Sequence, residues 1–437
     1  MKELVKKYFF EILIIVIVFI NIFLHILPDI PLTIILIIVS LFKSGIIGSF
    51  VLSSYAMPKL LGFVLYLYGI TGVAAGIQLL LFAICLFLWL GKKSIKLYNF
   101  SECCRYIFLT LLVLLVSSLI STGGDYAFEK VRDTIINAVI AFFAYGFLFS
   151  NYKKCDFIRI GLYMIIYSLL LLMISPLLNS GSGPSGIFDF GYLRQQDINA
   201  LTSEELTISY HMVGFVATMG AGIIMLESLK NKPNLLFFSI CIVICTVISL
   251  YSGARQFVVT SLALFFLWII SMSKKGLFGS FLFIVGTVLV VLVVGFLFSS
   301  EGMLGTVHEE GYLEASGRSA FILKGVSDFL DNPLIGVGYG RFEVFGDYGS
   351  YPHNLIVEML CELGIIGTLL LFIITRRPLY YLIKKQPACI YLLIVYFLRS
   401  MSSGGIDSNI VLFSYVFAVL CLKGANFNCN VLKPINI

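Results

Sequence analysis

Pro352-His353-Asn354-Leu355-Ile356-Val357-Glu358-Met359-Leu360-Cys361-Glu362-Leu363-Gly364-Ile365-Ile366-Gly367 is the stretch on which the reading of this chain turns. It opens with an imidazole and an amide, carries two carboxylates, and runs on as an apolar segment to Ile374. That is long enough for a membrane span, and ionisable groups kept in a span usually serve function. Pro352 suits a first helical position, which places His353 in the first turn among free backbone amides. The positive helix end there favours a neutral imidazole, able to accept a proton, and an anion nearby. Asn354, Glu358 and Glu362 share one helical face, while Gly364 and Gly367 offer close approach to a neighbouring helix. The bland reading is a histidine that caps a span and carboxylates that glue helices together, the favoured role for Glu362. Local chemistry alone leaves both readings of His353 open.

The surrounding chain makes the membrane assignment firm. Of 437 residues, 59% are hydrophobic and only 12% are charged. Repeated apolar runs match the hydrocarbon thickness, and helical spans satisfy their own backbone groups, so an all-α polytopic bundle is expected rather than a barrel. The expected spans are 8–27, 30–42, 45–57, 62–90, 104–121, 133–150, 157–178, 208–229, 234–251, 256–273, 277–298, 353–375, 388–403 and 407–423. Lys43, Pro58 and Lys59 interrupt the 30–90 region, so the total is twelve to fourteen. The first run is read as a retained span, because it carries Glu11 and lacks a small-residue cleavage site. Lysine-rich loops place both termini in the cytoplasm and put the connections 122–132, 179–207 and 299–352 on the other face. None of the ten cysteines falls in those three connections. One membrane domain is expected over 1–437, with no soluble appendage and no internal repeat.

The largest loop, 299–352, has helical periodicity over Arg318–Asp331. Arg318, Ile322, Val326 and Phe329 align, while Lys324, Asp328 and Asp331 face away, as in an amphipathic helix at the membrane–water boundary. Asn332-Pro333 ends it, and Gly336-Val337-Gly338-Tyr339-Gly340 reads as a pliable turn. These glycines superficially suggest a nucleotide loop, but no strand–helix context surrounds them, and no nucleic-acid partner is expected. Arg132, Arg194, Arg255, Arg318, Arg341 and Arg399 all fall on the expected outer side, where a guanidinium fork can grip phosphate or carboxylate. Arg255 follows Ser252-Gly253-Ala254 in a very short turn between spans, which fixes where it projects. Arg318 lies on the apolar-facing side of its helix, which is odd for a solvated charge. His211, near the outer end of another span, is a weaker candidate. Arg194, Arg341, Tyr339, Asn354 and Glu358 are the candidate substrate-binding residues.

These pieces resemble the O-antigen polymerase and O-antigen ligase superfamily of bacterial envelope glycosyltransferases. The family pattern of His followed by Asn, Ser or Gln, nine residues, then Gly-x-x-Gly is met by His353, Asn354, Gly364 and Gly367. Arg255 after a Ser-Gly pair, Arg318 opening the large loop, and the run Pro333-Leu334-Ile335-Gly336-Val337-Gly338 match three further family features. The match is specific over about 250–370 and elsewhere is one of architecture only. The resemblance implies action on sugars carried by undecaprenyl diphosphate at the periplasmic face of a bacterial inner membrane. In that chemistry Arg255 and Arg318 would clamp the departing diphosphate and His353 would take the hydroxyl proton. Single displacement would invert the sugar. No metal and no cofactor is expected, since arginines can hold the diphosphate. Membrane lipids surround the protein, and a polysaccharide chain-length regulator is an expected partner. Polymerase is the preferred branch, because the large loop is modest for docking a lipid A core, and O-antigen ligase is the alternative. From another class, a lipid-linked oligosaccharide flippase would favour repeat symmetry and mid-membrane polar groups, whereas the polar mass here lies on one face.

Overall fold

The computed structural model describes residues 2–70, 74–92, 95–120, 124–178, 209–231, 235–273, 318–344, 347–348, 351–402 and 404–424. In chain order its helices are α1 Lys2–Lys7, α2 Phe9–Leu24, α3 Asp29–Ser53, α4 Ala56–Tyr66, α5 Ala74–Leu90, α6 Phe100–Ile120, α7 Gly124–Ser150 and α8 Phe157–Leu178. They continue with α9 Tyr210–Met225, α10 Leu235–Ser252, α11 Arg255–Ser273, α12 Arg318–Asp331, α13 Leu355–Lys385, α14 Ile390–Ser400, α15 Ile406–Ala418 and α16 Cys421–Gly424. Two short strands, β1 Glu343–Val344 and β2 Asp347–Tyr348, pair antiparallel between α12 and α13.

Among the described residues seven helices are long and apolar enough to cross a membrane: α3, α6, α7, α8, α9 with its 3-10 extension to Leu229, α13, and Ile406–Lys423. Six shorter apolar helices accompany them: Phe9–Leu24, Ala56–Tyr66, Gly76–Leu90, Leu236–Ser252, Arg255–Trp268 and Pro387–Ser400. The protein is thus a polytopic helical membrane protein. Two expectations about spans are corrected. The separate spans at 30–42 and 45–57 are one helix, α3, broken at Gly45 (φ 67°, ψ 176°), and 62–90 divides into α4 and α5. The connection placed at 122–132 is mostly helix, since α7 begins at Gly124. The span at 277–298 and the loop at 179–207 lie outside the described residues.

The chain divides into two compact units. The first comprises Met1–Lys93 and Lys154–Gly305. Its centre is α8, which packs against α9 where Gly161 and Gly220 face each other. A Cβ on Gly161 would stand 2.5 Å from the Gly220 carbonyl oxygen, so only hydrogen fits and the two backbones meet directly. The N-terminal helix is tied to the start of α8 by ions. Arg159 Nε donates to the buried Glu11 at 2.8 Å, and Tyr8 Oη donates to Asp156 at 2.7 Å. Burial of Asp156 works against its charged form. The Tyr8 hydroxyl, the Arg159 amide and the Lys7 ammonium outweigh it and hold the carboxyl below its ordinary pKa.

The second unit comprises Ser94–Lys153 and Thr306–Ile437. Here α7 packs along α15, with Ser414 Oγ donating to the Ala138 carbonyl at 3.0 Å, and α6 packs along α13. Helix α12 packs on α13, and Asp328, expected to face away from the apolar side, is buried there. Gly325 and Asp328 are buried, whereas Leu323 and Leu330 are each 67% exposed and Val326 is 40% exposed. The apolar arc of α12 is wider than its docking site, because the outer half is left for a lipid-like environment while Gly325 sits against Pro352 and Val357.

Candidate functional site

Helix α13 is broken at Gly364 (φ 63°, ψ −170°), a conformation open essentially to glycine alone. The break takes two donors and two acceptors out of the helical ladder, and each must find a partner inside an apolar medium. The segment Pro333–Gly338 supplies all four. Ile365 N–H donates to the Pro333 carbonyl at 2.9 Å and Ile366 N–H to the Leu334 carbonyl at 3.1 Å. In return the Cys361 carbonyl accepts from Val337 N–H at 2.8 Å and the Glu362 carbonyl accepts from Gly338 N–H at 3.1 Å. The turn is spliced into the helix. A Cβ on Gly336 would lie 2.5 Å from the Cys361 oxygen, and one on Gly364 would lie 2.5 Å from the backbone of Leu334, Ile335 and Gly336. The turn expected to be pliable is therefore a fixed, buried plug, and Gly364 admits this plug rather than a neighbouring helix. A Cβ on Gly367 would first meet the Leu363 side chain of its own helix, at 2.6 Å.

The other end of this segment carries His353 and Asn354. Asn354 is the N-cap of α13, its Oδ1 accepting from Ile356 N–H at 3.0 Å and Val357 N–H at 3.2 Å. Helix therefore starts at Leu355, and His353 is not in the first turn as expected. It stands before the cap in the left-handed region, at φ 56°, strain that a cap and flanking rings hold in place. Its ring meets Tyr351 at 4.4 Å and Phe321 edge-on at 5.4 Å between centroids. Phe321 lies one turn into α12, the helix that Arg318 opens. Arg341 is exposed and forms no ion pair among the described residues, while Phe342 beside it is buried against Cys361.

Beneath the cap lies a constellation that sequence reasoning missed. Lys130 of α7, 3% exposed, places Nζ 2.8 Å from Glu358 Oε1 and 2.8 Å from both oxygens of Glu362. Glu358 Oε1 also accepts from Ile406 N–H at 3.0 Å, at the start of α15. Tyr339 lies fully buried beside them, with Lys130 Nζ 4.8 Å from its ring centroid. Burial pushes the Tyr339 phenol well above its usual pKa, so it keeps its proton. It lies 2.5 Å from Thr134 Oγ1, whose own proton goes to the Lys130 carbonyl, so Tyr339 donates to Thr134. Glu358 and Tyr339 are thus committed to Lys130 and Thr134 instead of standing at a surface. A signal for Lys130 existed, since Ala127, Lys130, Thr134, Ala138, Ala141 and Tyr145 form one buried stripe at helical spacing.

Arg255 belongs to the first unit. Gly253 and Ala254 alone separate α10 from α11, with Gly253 at φ 74°, so Arg255 begins its helix directly after a tight turn. Next to it Gln256 Nε2 lies 3.0 Å from His211 Nδ1, which ties the starts of α9 and α11 together. Arg194 lies outside the described residues.

Residues 237–372 match the family model described as O-antigen ligase. This segment is similar to the O-antigen ligase family. The match supports the O-antigen polymerase and ligase class and a glycosyltransferase-like enzyme in coarse terms. The matched segment takes in Arg255, Arg318, the spliced turn, His353 and the break in α13, and it leaves Lys130 outside. No curated protein and no solved structure matches the chain.

Proposed function

We propose that this chain is a surface-polysaccharide polymerase that joins undecaprenyl-diphosphate-linked oligosaccharide repeat units at the periplasmic face of the inner membrane. A hydroxyl of the acceptor sugar attacks the anomeric carbon of the donor. The bond from that carbon to the diphosphate breaks, and the hydroxyl proton passes to His353. The departing diphosphate is held by Arg255 and Arg318, and Arg194 and Arg341 add contacts to the glycan or its carrier. Asn354 sets the cap before which His353 stands. The observation that carries this reading is the joining of two family features in one device: the Pro333–Gly338 run is inserted into the helix that His353-Asn354 opens.

A ligase that moves a finished chain onto the lipid A core is the second reading, favoured by the description of the matching family. Replacing His353 by Ala and running the surface polysaccharide on a gel separates the two. The expected result is core bearing a single repeat, without a ladder. Bare core would make the chain a ligase, and an unchanged ladder would remove His353 from the mechanism.

A further inference from the structure

We infer that Lys130 is a positioning residue for the reaction proposed above: its ammonium locks the first two turns of α13 and the spliced turn onto α7, and so fixes where His353 stands. The inference rests on His353 acting in that reaction. An unbroken helix would hold its own N-terminal turns in line. Here the break at Gly364 cuts residues 355–363 off from that ladder, so their orientation must come from elsewhere.

Both carboxylates lie between the cap and the break, one turn apart on one face, and both reach the same ammonium at 2.8 Å. Through these acids three elements meet at one charge: α7 by Lys130, α13 by Glu358 and Glu362, and α15 by the Ile406 amide. Ser117 of α6 completes the lock, accepting from Tyr339 N–H at 3.0 Å and donating to the Glu362 carbonyl at 3.1 Å. The cation–anion contacts are fully buried and therefore little screened, which makes them stiff. His353 itself precedes the cap by one residue, so a tilt of the short segment moves the imidazole directly. Misplacing a reacting group by about 1 Å can cost about a hundredfold in rate.

The test uses the full-length chain in detergent with the variant Lys130→Gln/Glu362→Gln, which removes one charge of each sign and lets two amides hydrogen-bond. Turnover is measured on lipid-linked oligosaccharide extracted from cells lacking this chain. The expected result is a kcat lower by about tenfold or more, with KM for that substrate within about twofold and a normal yield of folded protein. Amide hydrogen exchange over residues 353–358 should rise in the same preparation. Parent-like kcat at normal yield would overturn the inference and make the cluster merely structural. If the pair variant fails to accumulate, Lys130→Arg takes its place, since it keeps the charge but shifts it. Lower kcat with unchanged KM then supports the inference, and parent-like kcat overturns it. His353→Ala run in parallel separates the two layers. Full turnover there sinks the reading of the site, whereas its loss together with a parent-like Lys130 variant sinks only the positioning role.

Discussion

Gly45 and Gly364 head the same tetrapeptide, Gly-Ile-Ile-Gly, at 45–48 in the first unit and 364–367 in the second. Each sits within a long apolar helix, and each breaks it in nearly the same conformation, φ 67° and ψ 176° against φ 63° and ψ −170°. The local consequences repeat as well. A Cβ on Gly48 would fall 2.5 Å from Ser44 Cβ, and one on Gly367 would fall 2.6 Å from Leu363 Cβ. The residue after each tetrapeptide is a hydroxyl that reaches back across the break. Ser49 Oγ donates to the Leu41 carbonyl at 3.2 Å and Thr368 Oγ1 to the Met359 carbonyl at 3.0 Å. The surroundings differ completely. Among the described residues nothing lies within 4 Å of a Cβ built on Gly45, whereas three backbone atoms crowd the same point at Gly364. One tetrapeptide thus permits a break in two places, but only in the second does another part of the chain enter it.

The comparison can be broken or sharpened by substitution. Gly364→Ala should have the largest effect, since it meets both the glycine-only conformation and the inserted turn. We expect about 3 kcal/mol or more of lost stability, read as little folded protein surviving extraction in mild detergent, and no surface polymer. A well-folded, active Gly364→Ala chain would show that the splice is dispensable. Gly45→Ala meets only the backbone penalty, about 1–2 kcal/mol, and should lower the thermal midpoint while leaving the polysaccharide ladder intact. A loss as deep as that at Gly364 would mean the first break also receives a partner. The smallest effects belong to the hydroxyls. Ser49→Ala and Thr368→Val should each cost about 1 kcal/mol, and similar values at the two sites would confirm that the local break is one structure used twice.

Much of this was legible beforehand. Apolar runs of span length identify the helices, and the His353–Gly367 pattern with Pro333–Gly338 marks the family segment. The glycines were misread, because small residues in a membrane helix usually signal helix packing, and a positive φ leaves no trace in the residue type. His353 was placed one step too deep, since Pro352 imitates a first helical position while Asn354 takes the capping role. Asp328 is expected to face away from the apolar side of α12, yet it is buried, because α13 packs on that side where the small Gly325 admits it, and periodicity within α12 does not reveal that neighbour. Lys130 was overlooked for a related reason: a lysine near a span end ordinarily marks topology, and its two acids lie more than two hundred residues away.

By itself the sequence determined that this chain is a bundle of membrane helices and that 237–372 is similar to the O-antigen ligase family, because hydrocarbon length and motif spacing are properties of consecutive residues. Only the tertiary structure decided that the Gly364 break is filled by the Pro333–Gly338 turn, and that one lysine bridges two acids beneath His353. Both depend on partners distant along the chain. In an interior without water, every freed amide, carbonyl and charge must be met by whatever the fold brings to it.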